Sequence, residues 1–117
     1  MIRPLVALVL LGFACPAMAQ TQVDLRIFGP GNMSFGTWTE ERKKDSEIAV
    51  AYSFWIEGFV TAAELYNPRL APAAKQIDTD AMNGWVDNWC AAHPLSKIAD
   101  AANFLTEAIY QQHPAAK

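Results

Sequence analysis

Ser46 to Pro68, SEIAVAYSFWIEGFVTAAELYNP, is the stretch on which the fold class turns. Ile48, Tyr52, Trp55, Phe59, Ala62 and Tyr66 recur at helical spacing, while Glu57, Thr61 and Glu64 fall opposite, so an amphipathic central helix is expected. Ser46 is a good N-cap, and Asn67-Pro68 stops the helix because a residue before proline is pushed out of the helical region. Gly58 stands in its interior at a cost of about 1 kcal/mol relative to Ala. Close approach of another helix is the expected reason.

Working downstream, residues 67 to 78 read as a Pro-containing loop. Asp78 or Thr79 can cap the next helix, in which Met82, Trp85, Val86, Trp89 and Cys90 share one face before His93-Pro94 ends it. Ser96 is then expected to cap a last helix with Ile98, Ala102, Leu105 and Ile109 as its buried stripe. The short connection makes the two an antiparallel hairpin.

Upstream, Thr37-Trp38-Thr39-Glu40 matches a capping box, in which the Thr37 side chain accepts from the backbone three residues on and Glu40 bonds back. A helix starting at Trp38 follows, either running on into the central helix or restarting at Ser46. Before it, residues 20–36 form an extended arm: Val23-Asp24-Leu25-Arg26-Ile27 alternates as one short strand would, and Gly29-Pro30-Gly31-Asn32 breaks the chain. The first nineteen residues have the make-up of a cleavable signal peptide, with Arg3 ahead of an apolar run from Leu5 to Phe13 and the small-x-small site Ala17-Met18-Ala19. The run is too short for the roughly 20 residues that span a bilayer, and Pro16 ends it. Gly12-Phe13-Ala14 lacks the Leu expected before a lipidated Cys15. The expected organisation is therefore a signal peptide over 1–19, the arm over 20–36, a helical domain over 37–113 and a tail over 114–117, an all-α bundle of three to four helices delivered to the periplasm.

Composition agrees with one globular domain: 117 residues, 52% hydrophobic and 18% charged. Loss of Arg3 with the leader reduces nine basic residues to eight against twelve acidic ones, a net charge of −4. The basic residues are dispersed, and the single run Arg42-Lys43-Lys44 is bracketed by Glu40, Glu41 and Asp45, so it reads as a solvated helix face. A nucleic-acid partner is excluded on those grounds, and stable membrane insertion after cleavage is not expected.

Residue sets that announce a reaction are missing: there is no HExxH, Gly-rich phosphate loop, GxSxG or Cys-x-x-Cys. No catalytic residue, cofactor or metal site is assigned. His93 and His113 each precede a proline near a helix C-terminus, where an imidazole suits the free carbonyls and the dipole. Glu57 and Glu64 lie a heptad apart on the polar face and read as solvated; Asp87, among Trp85, Val86 and Trp89, occupies a polar position that amphipathic spacing produces by itself. Trp85 and Trp89 could form an aromatic shelf, with core packing the preferred reading.

Three stretches, Gly29 to Trp38 (GPGNMSFGTW), Trp55 to Val60 (WIEGFV) and Gly84 to Leu105 (GWVDNWCAAHPLSKIADAANFL), resemble small periplasmic proteins of the Rap/Tai type, grouped with immunity proteins against type VI secretion effectors. The likeness spans about residues 25 to 112 and implies a compact helical fold similar to that of the acid-stress chaperone HdeA. It also implies a departure, since relatives place a Cys where this chain has Phe35, the partner that Cys90 would otherwise have. With Cys15 leaving in the leader, Cys90 is expected unpaired and buried, with Phe35 replacing a covalent link by apolar contact.

The function so implied is that of an exported periplasmic binding protein, an immunity-like inhibitor of a secreted effector acting by stoichiometric protein binding; the alternative is an HdeA-like acid-stress chaperone, which loses ground because such proteins depend on the disulfide. The chain is not expected to be an enzyme. Trp38 and Arg42 are the candidate partner-binding residues if the first helix is exposed, the preferred reading being a core tryptophan and a solvated arginine.

Overall fold

The computed structural model describes residues 25–112, so the leader, Gln20, Val23, His113 and the tail lie outside the described residues. The fold is all-α. A 3₁₀ turn, Gly29–Asn32, precedes α1 (Phe35–Lys44), α2 (Glu47–Tyr66), the one-turn α3 (Ala71–Ala74), α4 (Thr79–Ala92) and α5 (Ile98–Gln112). Among the described residues the strand expected near Val23 to Ile27 is replaced by irregular backbone over 25–28, and β-pairing is limited to one bridge between Ser34 and Lys97.

The first helix begins three residues earlier than the capping box predicts. Ser34, with β-region backbone, accepts from the Thr37 amide, so Ser34 rather than Thr37 is the N-cap. Asp45 ends α1 in the left-handed region at φ 50°, and its amide returns to the Arg42 and Glu41 carbonyls. Ser46 then restarts the chain as the N-cap of α2 and also donates its hydroxyl to Glu41 Oε2 at 2.6 Å. That bond holds the Glu41 carboxyl below the usual carboxylate range.

Each later boundary has an equally local cause. Asn67 closes α2, and residues 67–78, expected as plain loop, contain α3, whose Pro72 sits in the first turn where a missing amide is harmless. Leu70, Ala73 and Ala74 bury there, packing the connection under α5 and α2. Asp78 caps α4 through the Ala81 amide at 2.8 Å. At α5 the expected cap Ser96 is displaced: Asp100 Oδ2 accepts from the Lys97 amide at 2.8 Å, while the Ser96 carbonyl accepts from Phe35 N–H. Phe35 to Ser96 and Ile98 to Met33 are thus tied by two backbone bonds that fasten the start of α1 to the start of α5.

The core collects Phe35 and Trp38 from α1, Tyr52, Ile56 and Val60 from α2, Val86 and Cys90 from α4, and Ile98, Ala101, Ala102, Leu105 and Ile109 from α5. The α4–α5 hairpin is antiparallel, with Trp89 against Phe104 at one end and Trp85 beside Ile109 at the other. The buried face of α2 differs from the one read from its pattern: Ala49, Tyr52, Ser53, Ile56 and Val60 point inward, whereas Ile48, Ala62 and Tyr66 are exposed. Among the described residues α2, apolar nearly all round, is the one helix long and apolar enough by length and composition to cross a membrane, and 28% of it is buried. Periodicity found the helix but could not find its inner face.

Candidate functional site

Asp87 organises the surface where the two candidate residues lie. Trp38 Nε1–H donates to its Oδ1 at 2.7 Å, and the Arg42 guanidinium forks onto both oxygens, with Nε at 3.2 Å and the terminal nitrogen at 2.8 Å. Residues at i and i+4 on α1 are neighbours, so Trp38 and Arg42 reach one carboxylate on α4 together. Arg42 also covers the indole, its guanidinium carbon 5.7 Å from the ring centroid. The bond to Asp87 raises the Arg42 pKa further above its ordinary value.

This geometry corrects one of the two assignments. Trp38 is 0% exposed, so it belongs to the core and presents nothing to a partner. Arg42 is half-buried and remains reachable beside Thr39, Lys43 and Asp45 around a shallow hollow of about 420 Å³. Arg42 is therefore no freely solvated residue either, unlike Lys43 and Lys44, of which Lys44 pairs with Glu40 at 2.8 Å on the surface. Asp87 was not singled out for a role from sequence. The signal available is its place two residues from each of Trp85 and Trp89, which does not reveal a contact 49 residues away.

The tryptophans of α4 form a ladder. Trp85 and Trp89 stack at 6.4 Å, His93 lies on Trp89 at 4.0 Å, Phe104 of α5 stacks at 5.1 Å, and Phe35 meets Trp89 edge-on at 5.3 Å. His93 Nδ1–H donates to the Trp89 carbonyl at 2.8 Å, the helix-end role expected of it. The ladder is half core and half surface: Trp85 and Trp89 are half-buried, Phe104 is 51% exposed, and Leu95 on the α4–α5 turn is 98% exposed.

Cys90 is buried and unpaired among the described residues, and burial pushes its thiol up to about 12. Phe35 and Cys90 line one cavity of about 340 Å³. The side chain of Glu57 departs from the solvated reading, because its Oε1 is buried with no hydrogen-bond partner among the described residues. On the other flank of α2 the arm crosses Trp55, whose Nε1–H donates to the Phe28 carbonyl at 3.0 Å. Gly31 permits that crossing, since a Cβ there would overlap the Trp55 ring, and Gly29 adopts φ 68°.

Among the described residues no three His, Cys, Asp or Glu side chains gather at metal-binding spacing. No family model, curated protein or solved structure matches the chain.

Proposed function

We propose that this chain is exported to the periplasm and acts there by stoichiometric binding of a protein, in the manner of an immunity protein that neutralises a secreted effector. The single observation that carries the reading is the aromatic edge of the α4–α5 hairpin. Trp89 is held from several sides by Trp85, His93, Phe104 and Phe35, with Leu95 almost fully exposed at the tip. Interface energy concentrates in a few rigid aromatic anchors, because a side chain already held in place loses little entropy on contact. The half-buried Arg42–Asp87 pair supplies a polar feature between α1 and α4. Resemblance of the arm and of the Gly84 to Leu105 stretch to Rap/Tai proteins supports the same class.

The test is capture from periplasmic extract with the protein as bait, followed by Leu95→Asp and Phe104→Ala. Loss of the captured protein at an unchanged melting temperature is expected. Capture that survives both substitutions, or catalytic turnover by the purified protein, overturns the reading. Intact mass checks the export step, with Gln20 as the expected first residue of the mature form.

A further inference from the structure

Between the arm, α2 and the start of α5 lies a cavity of about 520 Å³, a volume typical of small-ligand sites. Its walls are mainly apolar: Leu25, Ile27 and Phe28 of the arm face Trp55 and Phe59 of α2. The α2 wall is held open. Trp55 donates to the Phe28 carbonyl at 3.0 Å, lies against Gly31 where no side chain could fit, and packs on Phe59 at 5.7 Å, so its ring cannot swing in to fill the space. A wall already fixed lowers the cost of binding. Leu25 and Phe28 remain 75% and 72% exposed, which leaves apolar surface for a ligand to cover.

Polar groups of three kinds surround those walls with bonding capacity to spare. The backbone amides and carbonyls of residues 25–27 make no hydrogen bond among the described residues. Arg26 and Asp100 both line the cavity, and neither forms an ion pair among the described residues. The Arg26 guanidinium carbon lies 5.8 Å from the Phe28 ring centroid, while Asp100 Oδ2 takes the Lys97 amide and leaves the second oxygen of the carboxylate for another donor. Asn103 adds an exposed side-chain amide that can donate and accept.

We propose that this cavity binds a short apolar peptide with free termini. An unpaired backbone edge is what an extended peptide bonds to, and the apolar walls beside it take the peptide's side chains. Asp100 receives the terminal ammonium and Arg26 the terminal carboxylate. Other ligand classes use only part of the set. A fatty acid meets Arg26 but is repelled by Asp100, a simple amine is repelled by Arg26, and both leave the backbone of the arm unpaired. An anionic lipid surface is opposed by the net negative charge of the chain. The proposal stands apart from effector capture, because neither Leu95 nor Phe104 lines this cavity.

Isothermal titration of the protein, in the form the cell produces, with leucyl-phenylalanine should show saturable binding at a single site. The N-acetylated dipeptide, which lacks the ammonium, and the dipeptide amide, which lacks the carboxylate, should each bind about three- to fivefold more weakly, the effect of losing an exposed ion pair. Asp100→Asn keeps an oxygen for the Lys97 amide and should bind the free and N-acetylated dipeptides equally, while the penalty for the amide persists. Arg26→Gln should do the reverse. Selectivity that changes at one terminus only reports direct contact, which a general disturbance of the fold does not produce. Asn103→Trp, at an exposed position of α5, should fill the cavity and abolish binding at an unchanged melting temperature. Three results overturn the proposal: no binding of leucyl-phenylalanine at millimolar concentration, binding that survives Asn103→Trp, or equal binding of the dipeptide capped at both ends, which would assign the cavity to an internal segment of a protein. Octanoate binding more tightly than the dipeptide also overturns it, in favour of a fatty-acid site.

Discussion

Replacing Asp87 tests how much of the α1–α4 junction rests on one carboxylate. Asp87→Ala removes the acceptor of a fully buried indole N–H and the partner of a half-exposed guanidinium. A hydrogen bond to a charged group contributes about 1.5–3 kcal/mol, and a donor left buried without a partner costs a comparable desolvation. The Arg42 pair, with side chains 34% and 39% exposed, is screened by water and contributes at most about 1 kcal/mol. The expected loss for Asp87→Ala is therefore about 3 kcal/mol. Asp87→Asn keeps an oxygen facing Trp38 but loses the charge and sets an amide donor against the Arg42 terminal nitrogen, so it should cost about 1 kcal/mol through the half-exposed Arg42 pair alone. Urea unfolding at neutral pH measures both, read from midpoints at constant slope so that denatured-state effects are excluded. Exchange of the Trp38 indole proton gives a second readout, slow in the parent and in Asp87→Asn and fast in Asp87→Ala. Equal losses for the two variants, or a protected indole proton in Asp87→Ala, would refute the assignment of the larger share to Trp38.

Three further outcomes follow from buried side chains. Cys90 should label slowly at pH 8, since a thiol at about 12 holds only about one thiolate in ten thousand and the group is buried; labelling at the rate of a free thiol would place it at the surface. Phe35→Cys should oxidise with Cys90, closing a loop that contributes about 2–4 kcal/mol, which offsets most of the about 3–5 kcal/mol expected from removing a core phenylalanine. Its melting temperature should therefore fall sharply in reductant, and two free thiols in the folded variant would show that the residues lining one cavity do not meet. Glu57→Leu should stabilise by about 1 kcal/mol by eliminating a buried unpartnered oxygen; a loss of stability would mean that Oε1 has a water partner.

Helices α2, α4 and α5 were legible in the chain because local rules set them: Ser46 and Asp78 cap, Asn67 and His93 terminate, and Ile98, Ala102, Leu105 and Ile109 repeat at helical spacing. The all-α class, the burial of Cys90 and the helix-end role of His93 depend on the same short-range chemistry. Tertiary structure decided the rest. Thr37 satisfies a capping box by sequence, yet Ser34 caps α1, because bonding of Phe35 to the Ser96 carbonyl fixes the backbone three residues earlier. The inner face of α2 could not be read from a helix apolar on both sides, since periodicity measures contrast between faces and here the contrast is small. The core placement of Trp38 agrees with the preferred reading of its sequence, but its bond to Asp87, an ordinary polar position by spacing, joins residues 49 apart and exists only once the chain has folded. Gly58 had a costly side-chain deletion visible in the sequence, but only the packed fold reveals that the space above it is open, because whether a neighbour fills that space is set by elements far away along the chain.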